Sequence, residues 1–174
     1  ARAAERAAAD PRDPLASPLG WLRPIDSEHS AIWQCLVGER MDEIARSDAL
    51  TGLPNRRDIA DRMAIEKARA ARNGRSFVVA LADIDGFKRV NDQHGHACGD
   101  EVLRDLAAQL RRLIRAQDYA ARWGGDELLL VFPDTDLEGG VVVADKLRQE
   151  IAARGLACSR GRIHLTLSLG LAEG

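Results

Sequence analysis

No run of apolar residues in this 174-residue chain approaches the ~20 needed to cross a bilayer. No signal peptide is visible either. A membrane-spanning segment is therefore excluded for this stretch, no direct membrane contact is expected, and the expected setting is cytoplasmic. A surplus of basic residues is also missing: 25 Lys and Arg stand against 27 Asp and Glu, a net charge of −2. Wrapping a nucleic-acid backbone takes an excess of cations, so a nucleic-acid polymer is not an expected partner. A small phosphorylated ligand needs only a few local cations and stays open. Cysteine is scarce. Cys35, Cys98 and Cys158 are widely spaced, odd in number and without a CxxC pair, which points away from a disulfide framework or zinc site and towards a reducing compartment. The first residue is Ala1 rather than Met, so the sequence reads as a piece of a longer protein, with any sensor or membrane anchor upstream.

What is present suffices for one core, since 45% of residues are hydrophobic. Residues 1–27 carry an Ala/Arg/Glu stretch and then Pro11, Pro14, Pro18 and Pro24, which read as an irregular linker because repeated prolines remove amide donors. Over residues 28–47, Ile32, Leu36, Val37, Met41 and Ile44 recur at helical steps. This signalling or stalk helix either pairs with a second copy or packs on its own domain. Residues 48–174 form the main domain. Asn55 is placed to cap a helix over about 56–72. Phe77 to Ala82 reads as a buried central strand, a short helix is expected from Phe87 to Asp92, and a longer one from Gly99 to Arg115. Two extended segments flank Gly124-Gly125 as a hairpin. A helix over 137–154 and a strand over 163–171 complete an α+β layer of helices on one mainly antiparallel sheet.

Four groups are candidates for chemistry. Asp83-Ile84-Asp85 ends the apolar strand, where a carboxylate is costly unless it is paired, bound to metal or open to solvent; a polar strand end or helix cap explains it equally well. Gly124-Gly125-Asp126-Glu127 joins a turn that lets a ligand approach the backbone to two carboxylates; taken alone, it is an ordinary hairpin. If that hairpin lies beside the first strand, Asp83 and Asp126 offer the oxygen ligands that suit Mg²⁺. Phe87-Lys88, with Asn91 and Asp100, offers a cation near a helix start together with a donor–acceptor set able to read a purine edge; each residue singly is also a capping or solvated side chain. Arg115-Ala116-Gln117-Asp118 offers a guanidinium fork for phosphate or guanine, or a helix C-terminal Arg beside a turn. His94 and His96 lack a third ligand nearby for zinc.

Read together and in order, these segments resemble the GGDEF domain of diguanylate cyclases. Gly124-Gly125-Asp126-Glu127-Leu128 stands where the family has its name. Asp48-Ala49-Leu50-Thr51-Gly52-Leu53-Pro54-Asn55-Arg56, Asp83-Ile84-Asp85-Gly86-Phe87-Lys88, Asn91-Asp92-Gln93-His94-Gly95-His96, Gly99-Asp100-Glu101-Val102-Leu103 and Leu165-Thr166-Leu167-Ser168-Leu169-Gly170 also fit, from about Asp42 to the chain end. The resemblance implies a palm-like α+β fold shared with nucleotide cyclases and polymerases. It implies that Asp83, the Ile84 carbonyl and Asp126 hold Mg²⁺, two ions per GTP. Glu127 would deprotonate or position a 3′-hydroxyl, Asn91 and Asp100 would read guanine, and Phe87 and Lys88 would line the triphosphate. Two GTP would condense across a homodimer into cyclic di-GMP and two pyrophosphates. The product would inhibit at Arg115 and Asp118, with Arg122 contributing. The alternative within the family is a module that binds GTP or cyclic di-GMP without turnover. Two departures stand out. Leu128 replaces the family's Phe, an apolar exchange expected to change packing only. The family also continues past the last strand with a helix bearing a phosphate-contacting Lys and Arg, which this sequence, ending at Gly174, is expected to lack.

Overall fold

The structure, a computed structural model, describes residues 46–174. The linker expected over 1–27 and the stalk helix expected over 28–47 lie outside the described residues, apart from 46 and 47. Helix α1 spans Arg56–Asn73. It starts at Asn55, whose side chain accepts from the Arg57 and Asp58 amides, a cap worth about 1 kcal/mol. Strand β1 is Val78–Ile84. Two helices follow, α2 at Phe87–His94 and α3 at His96–Leu113. The hairpin is β2, Tyr119–Gly124, and β3, Glu127–Phe132. Helix α4 is Leu137–Arg154. Short strands β4, Leu156–Cys158, and β5, Gly161–Ile163, precede the last strand β6, Leu167–Glu173.

The main sheet has the order β2-β3-β1-β6, and all its pairings are antiparallel. This is the α+β palm-like architecture expected from the sequence. The central position of β1 follows from its composition, because a strand paired on both sides has no edge to leave wet. Alternation then divides its residues. Val78, Ala80, Ala82 and Ile84 face a core filled by Val102, Leu106 and Leu110 of α3 and Leu147 and Ile151 of α4. On the other face α1 lays Ile59 against Ala121, Leu129 and Val131 of the hairpin. Burial of each large aliphatic side chain contributes roughly 1.5–3 kcal/mol. Cover by α1 runs out towards β6, and Leu81 is left 42% exposed. Asp83 lies on this same, less covered face of β1.

Two expectations need correction. A single strand over 163–171 does not form. Residues 161–163 pair with β4 in a separate two-stranded sheet, and the chain crosses to the main sheet through 164–166. Burial of Leu165 and a bond from the Asp85 amide to the Thr166 carbonyl fix that crossing. The cysteines are not all unpaired. Cys98 and Cys158, 60 residues apart, form a disulfide with a Cα–Cα distance of 5.5 Å, because β4 runs along the first turns of α3.

Candidate active site

The end of β1 and the β2–β3 turn meet. In the ladder Asp83 stands opposite Glu127, and directly opposed residues share a face. Gly125, at φ 53°, takes the left-handed turn that brings Asp126 and Glu127 round to this place. Desolvation pushes the pKa of the Asp83 carboxyl above its usual value, and the nearby charges of Asp126, Glu127 and Asp85 push it further the same way. Among the described residues no cation pairs with the Asp83 carboxylate and no hydrogen bond reaches it. Two residues on, Asp85 differs. It accepts from the hydroxyls of Thr166 and, at 2.6 Å, Ser168. Ser168 first and Thr166 second hold it below the usual carboxylate range. Of the two strand-end aspartates, Asp83 is thus free and Asp85 is engaged in joining β1 to β6.

Beside this acidic end lies a cavity of about 450 Å³ between α2, α3 and the hairpin turn. Phe87, Lys88, Asn91 and Asp100 line one part, and Gly125 and Asp126 the other. Asn91 and Asp100 are half-buried, yet among the described residues no hydrogen bond occupies the Asn91 amide or the Asp100 carboxylate. The cavity therefore offers a free donor, free acceptors and, in Lys88, a free cation. Gly99 makes this arrangement possible. A Cβ there would overlap the Asn91 side chain and crowd the Phe87 ring, so α3 can pass close behind Asn91 only without one.

Among the described residues no three His, Cys, Asp or Glu side chains form a metal cage. Mg²⁺ does not need one, since it takes one or two carboxylates and completes its shell with water and substrate phosphates. The fit rests on Asp83, a carboxylate crowded by like charges and relieved by no cation among the described residues.

The remaining candidates fall in two places. Arg115 and Asp118 close a turn on each other: Asp118 accepts from the Arg115 amide at 2.9 Å, and its own amide donates to the Arg115 carbonyl at 3.0 Å. Burial pushes the Asp118 carboxyl up, against the pull of the Arg115 amide. Arg122 is engaged elsewhere. Its guanidinium donates to the Gly125 carbonyl at 2.9 and 2.7 Å and to both Asp48 oxygens at 3.2 Å. Asp48 also takes the amide and hydroxyl of Thr51, and the Arg122 amide donates to the Pro54 carbonyl. Arg122 thereby braces the Gly-Gly turn against the 48–54 segment. Sequence reasoning missed this brace. A separation of 74 residues leaves no local pattern, although both partners sat inside recognised segments.

Residues 45–174 match the family described as "Diguanylate cyclase, GGDEF domain". Among curated proteins the chain is similar to Diguanylate cyclase DgcP of Pseudomonas aeruginosa, 42% identical over 127 residues covering 73% of this chain and 19% of that protein. It is also similar to Response regulator PleD of Caulobacter vibrioides, 37% identical over 131 residues covering 74% of this chain and 29% of that protein. The chain thus spans less than a third of the length of these relatives. Among solved structures it is similar to the coiled coil and GGDEF domain of DgcB from Caulobacter crescentus in complex with c-di-GMP. That match has a TM-score of 0.75 at 31% identity, over 84% of this chain and 80% of the other. Diguanylate cyclase SiaD of Pseudomonas aeruginosa, in complex with its activator SiaC, matches with a TM-score of 0.72 at 34% identity over 84% and 56%.

Proposed function

The chain belongs to the family of diguanylate cyclase GGDEF domains, and we propose that it binds one GTP and, facing a second copy of itself, joins two GTP into cyclic di-GMP. The observation that carries this reading is the free polar lining of the 450 Å³ cavity directly beside a carboxylate group that has no cation partner among the described residues.

Asn91 and Asp100 take the guanine. The base presents a donor edge that suits an ionised carboxylate, and an acceptor that suits the Asn amide. Phe87 and Lys88 take the triphosphate side, Lys88 as a point charge. Asp83, the Ile84 carbonyl and Asp126 would hold Mg²⁺, two ions per GTP. When bound, the metal would neutralise triphosphate charge and ease the departure of pyrophosphate. Glu127 accepts the proton of the attacking 3′-hydroxyl, or orients that hydroxyl. The 3′-oxygen forms a bond to the α-phosphorus of the opposite GTP, the bond from that phosphorus to the β-phosphate bridging oxygen breaks, and pyrophosphate carries the charge away. The same step in reverse orientation closes the ring. One domain supplies half of the centre, so bringing two together provides the proximity term and is a natural control point. Arg115, exposed beside the Asp118 turn, is the place for the product to bind and restrain the enzyme.

The test is incubation of the chain at high protein concentration with GTP and Mg²⁺, following pyrophosphate and cyclic di-GMP together. Two pyrophosphates per cyclic di-GMP are expected. Saturable GTP binding with no product under any dimerising condition would reduce the reading to a nucleotide-binding module.

A further inference from the structure

The cysteine pair remains outside that chemistry, and its position gives it a role. Helix α3 has two working sides. On one, His96, Asp100 and Leu103 line the cavity. On the other, at steps of three and four residues, Cys98, Glu101, Asp105 and Gln109 meet the segment from Gly155 to Ser159. Glu101 accepts from the Ser159 amide at 2.5 Å, Asp105 from the Ala157 amide at 2.9 Å, and Gln109 donates to the Gly155 carbonyl at 3.0 Å. The Cys98–Cys158 disulfide is the covalent rung of this ladder and the first along α3.

That end of α3 buries Cys98 in the core but lacks a side-chain cap. Its N-cap is Gly95, with no acidic residue in the first turn; the Gly95 carbonyl takes the Cys98 and Gly99 amides, and no capping side chain adds to that. Yet this turn carries Gly99, which backs Asn91, and leads directly into Asp100. A single disulfide beside a core that already buries α3 and α4 is not the staple of a small secreted fold. In reducing surroundings, disulfides that do form are transient or redox-sensing. The two sulfurs also differ in access. Cys98 is 2% exposed, whereas Cys158 is half-buried next to the exposed Ser159-Arg160 turn, with the Arg160 amide 3.4 Å from its sulfur.

The geometry points to a redox latch on the guanine end of the nucleotide site: the Cys98–Cys158 bond fixes the first turn of α3 and with it Asp100 and Asn91, and its reduction loosens GTP binding. This rests on the proposed role of Asn91 and Asp100. Closing the latch takes two electrons and two protons from the thiols. A low-molecular-weight disulfide accepts them by exchange through Cys158 and leaves as two thiols, and a dithiol reverses the step.

The experiment uses the full chain carrying Cys35→Ser, oxidised with glutathione disulfide or reduced with dithiothreitol, with the thiol count read by alkylation and mass. Two readouts are taken from each form. One is the dissociation constant for GTP with Mg²⁺. The other is hydrogen exchange of the amides at 97–101 without nucleotide. The oxidised form is expected to bind roughly five-fold more tightly and to exchange more slowly at 97–101. Cys158→Ser should match the reduced form under both conditions. Equal affinities and equal exchange in forms proven oxidised and reduced overturn the latch, as does a failure of the disulfide to form. If neither form binds GTP but exchange still follows redox state, the nucleotide assignment fails and the latch on α3 stands.

Discussion

The two flanks of β1 treat their carboxylates in opposite ways. On the β6 side, Asp85 is satisfied by the hydroxyls of Thr166 and Ser168 and is held below its ordinary acid range. On the β3 side, Asp83 faces Glu127 and Asp126, has no partner among the described residues, and is pushed above that range by burial and by its neighbours. The two residues stand two positions apart in one strand end. The first arrangement closes a sheet. The second accumulates negative charge that no cation among the described residues relieves, which is the contrast on which the proposed metal-holding role of Asp83 rests.

The sharpest way to break the contrast is Asp126→Ala, which removes a proposed metal ligand. Turnover of GTP should fall by roughly a thousand-fold with the thermal midpoint nearly unchanged, both measured on the same preparation. Arg122→Ala comes next. The Gly125 carbonyl and Asp48 lose their shared guanidinium, so the turn is expected to lose its aim. Turnover should drop about ten- to a hundred-fold, with Arg122→Lys recovering only part because it lacks the fork. Asp85→Ala should act the other way round, on the fold first. Losing two hydroxyl bonds at a partly exposed site is expected to cost about 1–2 kcal/mol in denaturant unfolding, with no loss of divalent-cation binding.

The smallest effect is in the pH dependence, and there the two aspartates have opposite signs. Asp85, with a lowered folded value, adds stability above the ordinary carboxylate range of ~3.9 and loses it as pH falls. Asp83, with a raised folded value, does the reverse: the folded state gives up stability as pH rises from that range through the raised value. Thermal midpoints taken from pH 3 to 7 should therefore show wild type falling behind Asp83→Asn as pH rises. Over the same range wild type should draw ahead of Asp85→Asn. Mg²⁺ should narrow the first gap and leave the second alone. Parallel curves for the two variants would remove the distinction on which the proposed metal site rests.

Much of this was legible in the sequence, for identifiable reasons. Asn55 as a cap announced α1, the Gly-Gly pair between extended segments announced the hairpin, and the apolar run before Asp83 announced a central strand. These are signals within a few residues of one another. Strands β4 and β5 were not legible, because three residues hold no periodicity and their pairing depends on the chain folding back. Cys98–Cys158 and Asp48–Arg122 were likewise hidden, because each is made by two segments that meet only after the sheet and α3 are in place. The fate of Asp85 was invisible for a related reason. Its partners are Thr166, in the crossing at 164–166, and Ser168, on β6, a stretch that the sequence pattern ran together as one strand.

Gly99 shows how this site can be disabled by addition. Most ways of disabling a binding site remove a group. Here the addition of one methyl to the back of Asn91 would turn the amide away while every polar group that faces the ligand stays in the chain. Gly99→Ala would thus leave the chemical inventory intact and alter only its alignment. It would give a protein blind to the proposed nucleotide yet unchanged in charge, and so a cleaner control for nucleotide occupancy than any charge-altering substitution in the cavity.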